Sequence, residues 1–119
     1  MNIRFAVVAL WAEDVFAAAH FYQDAVGLNL LLHHAGDRPH FELGEAYLTI
    51  VRGHPALPLD PEPRFPVVAF SVSKLEAAIE RLHLHKVDLP WGVESNLFGR
   101  WVKFRDPAGN LIELLEWTT

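Results

Sequence analysis

The sequence predicts an α+β fold of two βαβββ modules, and three observations predict it. The run Phe5-Ala6-Val7-Val8-Ala9-Leu10 is echoed by Phe65-Pro66-Val67-Val68-Ala69-Phe70 at an offset of 60 residues. Each copy leads into a helix start: Asp14 precedes Val15-Phe16-Ala17-Ala18-Ala19, and Ser73 precedes Lys74-Leu75-Glu76-Ala77-Ala78. Glycine and aspartate then break the remainder of each half into short β-prone runs. A chain of 119 residues suits one globular domain, with modules over 1–53 and 64–119 joined by a Pro-rich linker over 54–63.

Phe5 to Leu10 is the first strand. In the first helix Val15, Ala18, Ala19 and Tyr22 fall on one face, and Gly27 ends it. Leu28 to His34, Pro39 to Leu43 and Ala46 to Val51 read as three strands separated by Gly36-Asp37 and Gly44-Glu45. Gly53 to Pro63 holds four prolines and can form neither a helix nor a central strand, so it reads as a semi-rigid connection. The second module starts at Pro66 to Val72. Its helix runs from Lys74 to about Leu84, with Ser73 and Glu76 at capping-box spacing, Leu75, Ala78, Ile79 and Leu82 inward, and Glu76, Glu80 and Arg81 outward. A short strand near Val87 to Leu89, then Phe98 to Arg105 and Asn110 to Trp117, complete the module.

The last two strands form a hairpin around Asp106-Pro107-Ala108-Gly109: Asp-Pro opens the turn, and Gly109 supplies the positive φ that closes it. The returning strand carries Glu113 among apolar residues. In this hairpin Lys103 falls opposite Glu113, so a cross-strand ion pair is expected, and Trp101 shares their face.

Composition narrows the function classes. A net charge of −5 opposes phosphate binding, so nucleic acid is not an expected partner. The absence of cysteine excludes disulfides, thiolate metal sites and a cysteine nucleophile. No apolar run approaches the roughly 20 residues that span a bilayer, and Met1 to Leu10 lacks the layout of a secretory signal, so no membrane partner and a cytoplasmic location are the expectation. Among His20, His33, His34, His40, His54, His83 and His85, only His83 and His85 show a paired spacing, and their alternation suits a strand that this segment is not expected to form.

The paired modules, Asp14 followed by Phe21-Tyr22, the Val26-Gly27-Leu28 helix exit, and Phe104-Arg105-Asp106-Pro107-Ala108-Gly109-Asn110 running into Leu111-Ile112-Glu113-Leu114 together resemble the vicinal oxygen chelate superfamily. That group includes glyoxalase I, bleomycin-resistance proteins, fosfomycin-resistance enzymes and extradiol dioxygenases. The resemblance implies a cup-shaped mixed sheet and a homodimer. In the metal enzymes of the family four strands each contribute one ligand, and by position these fall on Val7, Thr49, Val67 and Glu113. Two valines offer a cation nothing, so no cofactor is expected and a divalent metal is disfavoured, with a relocated metal site as the alternative.

Strand alternation then gives the inward set. It comprises Phe5, Val7, Ala9 and Trp11; Tyr47, Thr49 and Val51; Phe65, Val67, Ala69 and Ser71; and Leu111, Glu113, Leu115 and Trp117. With Lys103, Trp101 and a loop bearing Trp91-Gly92 and Ser95-Asn96, these suggest an apolar site with a few polar groups. The candidate ligand-binding residues are Glu113, Lys103, Trp101, Thr49, Tyr47, Trp11, Val7, Val67 and Trp91, and Glu113 is the candidate catalytic residue. Three readings stand at this point. One is metal-independent sequestration of a small apolar, aromatic or cationic molecule, as in antibiotic resistance of the bleomycin type. The second is a glyoxalase-like lyase or isomerase, or a dioxygenase, with a non-standard site using Glu113. The third is a partner protein whose cup is filled by its own side chains.

Overall fold

A computed structural model describes residues 2, 4–31, 38–55 and 67–118. His33, His34, Gly36-Asp37, Phe65 and the Pro-rich connection beyond Pro55 lie outside the described residues. The element order is β1 (Val7–Ala12), α1 (Val15–His20) continued by a π-helical segment (Phe21–Val26), β2 (Asn29–Leu31), β3 (His40–Leu43), β4 (Ala46–Arg52), β5 (Val68–Ser71), α2 (Leu75–Leu84), β6 (Glu94–Ser95), β7 (Gly99–Arg105) and β8 (Leu111–Trp117). The strands form two four-stranded mixed sheets, ordered β1-β4-β3-β2 and β5-β8-β7-β6. In each, the first strand of the module runs parallel to the last and the rest are antiparallel, so the repeat seen in the sequence is a repeat of topology.

Strand alternation holds in both sheets. Leu48, Ile50, Phe70, Ile112 and Leu114 are buried on the helix-covered faces with Val15, Ala18, Leu75 and Leu82 from the helices. One hydrophobic cluster draws on both halves. Tyr22 joins them: its ring meets Phe41 of the first sheet at 6.1 Å, Phe21 stands edge-on to it at 5.4 Å, and Phe21 in turn packs on Phe104 at 6.0 Å. The Tyr22 hydroxyl donates to Asp106 Oδ2 at 2.5 Å in the buried interior. Burial, reinforced by the neighbouring Asp106 carboxylate, pushes the phenol well above its ordinary range, so this hydroxyl keeps its proton.

Asp106 organises the hairpin as its Asp-Pro sequence predicts. Its Oδ1 accepts from the backbone N–H of Ala108 and Asn110, its Oδ2 from Asn110 Nδ2, and Gly109 closes the turn at φ 99°. Asn110 Nδ2 also donates to the Trp11 carbonyl at 3.0 Å, which ties the hairpin to β1.

The helix starts differ from one another. Asp14 caps α1 as expected, accepting from Ala17 N at 3.0 Å. Ser73 does not cap α2, because the residue at the cap is Lys74, whose side chain makes no capping bond. Glu116 of β8 supplies that bond across the fold, accepting from Leu75 N at 2.9 Å, while Arg100 bridges Glu116 at 2.8 Å and Glu76 at 2.7 Å. Hydrogen bonding to the Arg100 guanidinium holds both carboxyls below the usual range. A tertiary acceptor has displaced the local capping box. The strand expected near Val87 to Leu89 is also absent, since the edge strand of the second sheet is β6, five residues later at its first residue.

Gly99 is required where β7 leaves the β6 turn: a Cβ there would stand 2.5 Å from the Glu116 carbonyl oxygen and 3.1 Å from Leu115 Cδ1. Gly99→Ala is therefore expected to destabilise the protein by about 1–3 kcal/mol, as overpacking typically does. A denaturant midpoint unchanged at constant m-value would contradict this close approach.

Candidate site on the open face of the second sheet

The faces turned away from the helices carry the inward set of the sequence reading, Phe65 excepted, which lies outside the described residues. On the first sheet, β1–β4 register sets Val7 beside Tyr47 and Trp11 beside Val51; Val7, Trp11 and Tyr47 are exposed at 49%, 47% and 41%. Thr49 is the exception: it is buried, and its hydroxyl is spent on the Pro39 carbonyl at 3.0 Å. On the second sheet, Lys103 lies directly across from Glu113, Trp101 from Leu115, and Glu94 from Trp101. Val67 precedes β5 and is exposed. The two sheets share no strand, so the nine candidate ligand-binding residues fall into two groups.

The chemistry concentrates in the second group. Lys103 Nζ does not pair with Glu113; it forms its ion pair with Glu94 Oε1 at 3.2 Å and sits 5.4 Å from the centre of the Trp91 ring. This corrects the expected Lys103–Glu113 pair. The cause is β6, whose two residues bring a second carboxylate to the ammonium. Among the described residues, no hydrogen bond or ion pair reaches the Glu113 carboxylate. Burial pushes its carboxyl above the usual carboxylate range; Lys103 opposes this through space and Glu94 adds to it.

Because the folded-state value lies above the unfolded one, the ionised form of Glu113 is disfavoured by folding. The penalty is absent below the ordinary carboxylate range, grows as pH rises to the raised value, and is complete above it. Glu113→Gln is therefore expected to melt at a higher temperature than the parent near neutral pH, with the difference vanishing towards about pH 4. Equal melting curves at both pH values would count against a desolvated Glu113.

The four positions where the family's metal enzymes place ligands do not fit a divalent ion here. Val7 and Val67 have no donor atom and Thr49 is buried with its hydroxyl turned to the Pro39 carbonyl, which leaves Glu113 as one donor where several are needed. Among the described residues no group of three or more His, Asp or Glu is placed to hold a metal ion. A separate concavity of about 340 Å³ lies beside the hairpin, lined in part by Glu13, Asp14, His54 and Pro107. Its polar groups are already committed, Glu13 to His54 and Asp14 to the α1 cap, so the open face of the second sheet is the better candidate.

The model of the Glyoxalase/Bleomycin resistance protein/Dioxygenase superfamily matches residues 4–114. The chain belongs to that superfamily. Solved structures agree on the fold of this superfamily member. It is similar to TnmS3, an antibiotic binding protein from Streptomyces sp. CB03234, with TM-score 0.78, 22% identity, and 98% of each chain covered. It is also similar to a lactoylglutathione lyase from Agrobacterium tumefaciens (TM-score 0.73, 22% identity, 98% of this chain and 95% of that one). A glyoxalase/dioxygenase from Nostoc punctiforme gives TM-score 0.77 and 21% identity, covering 98% of this chain and 92% of that one. The comparison with curated proteins found no match. Among the described residues no helix of this superfamily member is long and apolar enough to cross a membrane.

The hairpin and strand parity gave signals for Glu113, Lys103 and Trp101, whereas Trp91 was read only as part of a loop beside the site. Glu94 was missed. A two-residue strand has no period to detect, although Asn96, whose Oδ1 accepts from Phe98 N at 2.8 Å and Gly99 N at 3.2 Å, is a turn residue that marks the β6–β7 hairpin.

Proposed function

We propose that this superfamily member binds and sequesters a small molecule without a metal. The molecule has a flat apolar or aromatic body and a positive charge, and it docks on the open face of the second sheet. The observation that carries this reading is Glu113, a carboxylate with no partner among the described residues, beside Trp101, Leu115 and the Trp91–Lys103 stack. The indoles offer stacking surface and the carboxylate offers a charge partner. The fold-level likeness to an antibiotic binding protein supports the same reading, with sequestration of an antibiotic-like compound in the cytoplasm as the role. We further propose that the chain works as a homodimer, because the first sheet leaves Phe5, Val7, Trp11 and Tyr47 exposed on one face.

A thermal-shift panel of aromatic cations, neutral aromatics and aromatic anions tests the ligand class, since mass action requires a true ligand to raise the melting temperature. Stabilisation by the cations supports the proposal. A panel without effect, together with turnover of a substrate, would overturn it in favour of catalysis.

That second reading rests on the raised Glu113 carboxyl, a property of a general base, with Lys103 near enough to stabilise developing negative charge. It describes a metal-free lyase or isomerase. Loss of turnover in a folded Glu113→Gln variant would support it.

A further inference from the structure

We infer that Glu94 sets the charge selectivity of this face: by holding the Lys103 ammonium on β6 it keeps Glu113 free for a cation brought by the ligand. The inference deepens the binding reading above and rests on it.

Asn96 N donates to the Gly99 carbonyl at 2.9 Å, and the Asn96 side chain accepts from Phe98 N and Gly99 N. These bonds fix β6 against β7 and put Glu94 across from Trp101, on the face that carries Lys103 and Glu113. The Oε1 atom of Glu94 is shielded from solvent. It has Lys103 Nζ at 3.2 Å but no well-aligned hydrogen bond, so the ammonium is what compensates its charge. The face of the Trp91 ring lies 5.4 Å from the same ammonium.

Lys103 thus has an aromatic face and a carboxylate as neighbours, the surroundings that an ammonium receptor provides. It is the protein's own occupant of that receptor. Glu113, its cross-strand neighbour, is left outside the pair. Arg105, next on this face of β7, donates to the Gly109 carbonyl of the hairpin, so around Trp91 and Trp101 two carboxylates share one ammonium, and this local excess of negative charge favours a monocation over an anion of similar shape. Without Glu94, Lys103 is free to turn to Glu113, and the cluster around Trp91 and Trp101 becomes neutral with no carboxylate to offer.

The test compares berberine, a flat aromatic monocation, with 1-anilinonaphthalene-8-sulfonate, an aromatic anion, by quenching of tryptophan fluorescence. The variants are Glu94→Gln, Glu94→Asp and Lys103→Met, and a crystal structure of Glu94→Gln accompanies them. The inference predicts that Glu94→Gln lowers the berberine-to-anion affinity ratio at least tenfold, that Glu94→Asp keeps it within threefold, and that Lys103→Met raises it. It also predicts Lys103 Nζ within ion-pair distance of Glu113 in the crystal structure. A ratio unchanged by Glu94→Gln, or a Lys103 that stays beside residue 94 there, would overturn it. If neither probe binds any variant, the binding reading falls, and the Lys103 position still decides whether Glu94 holds the ammonium.

Discussion

Asp106→Ala is expected to be the most damaging single substitution away from the core itself, lowering stability by about 3 kcal/mol or more. One buried carboxylate receives the Tyr22 hydroxyl, two backbone N–H groups of its own turn and the Asn110 amide. Truncation removes all four bonds and leaves the Tyr22 hydroxyl buried without an acceptor. It also releases the hairpin from Asn110, whose side chain fastens it to the Trp11 carbonyl. For a chain of this size the loss corresponds to a fall in melting temperature on the order of 10 °C. Tyr22→Phe is expected to lose less, about 1–2 kcal/mol, because Asp106 keeps its other donors. Equal effects of the two substitutions in thermal and denaturant melts would show that the network does not centre on Asp106.

Glu113→Gln is expected to weaken binding of an aromatic cation such as berberine about tenfold or more, the scale of one lost charge partner at a partly desolvated site. The same substitution is the one expected to raise the melting temperature near neutral pH. A residue whose removal helps the fold and harms binding is kept for binding. Calorimetric titration measures the first effect and thermal melts the second. Unchanged affinity would remove Glu113 from the site, whatever the stability showed.

Features that repeat along the chain were legible in the sequence. The echo of Phe5 to Leu10 in Phe65 to Phe70 gave the two modules, and period-two parity placed Glu113, Lys103 and Trp101 on one face before any register was known. The Asp-Pro-Ala-Gly turn was equally plain, since each residue has a local job there. What escaped was set by contacts distant in sequence. Ser73 has the right spacing to cap α2, but Glu116, 41 residues beyond Leu75, takes the N–H instead. Lys103 has the right register for Glu113, but the edge strand β6 delivers Glu94 to it first. In both cases a short-range rule was sound, and a carboxylate from elsewhere won the same donor.

The central claim is that the open face of the second sheet binds its ligand through Glu113 and the indoles without a metal. The most direct test is calorimetric titration of berberine into protein stripped with a chelator, repeated after reloading with zinc, nickel, manganese or iron. The account predicts one dissociation constant throughout and no stoichiometric uptake of any of these ions. Binding or turnover that appears only with one tightly held ion per chain would contradict it.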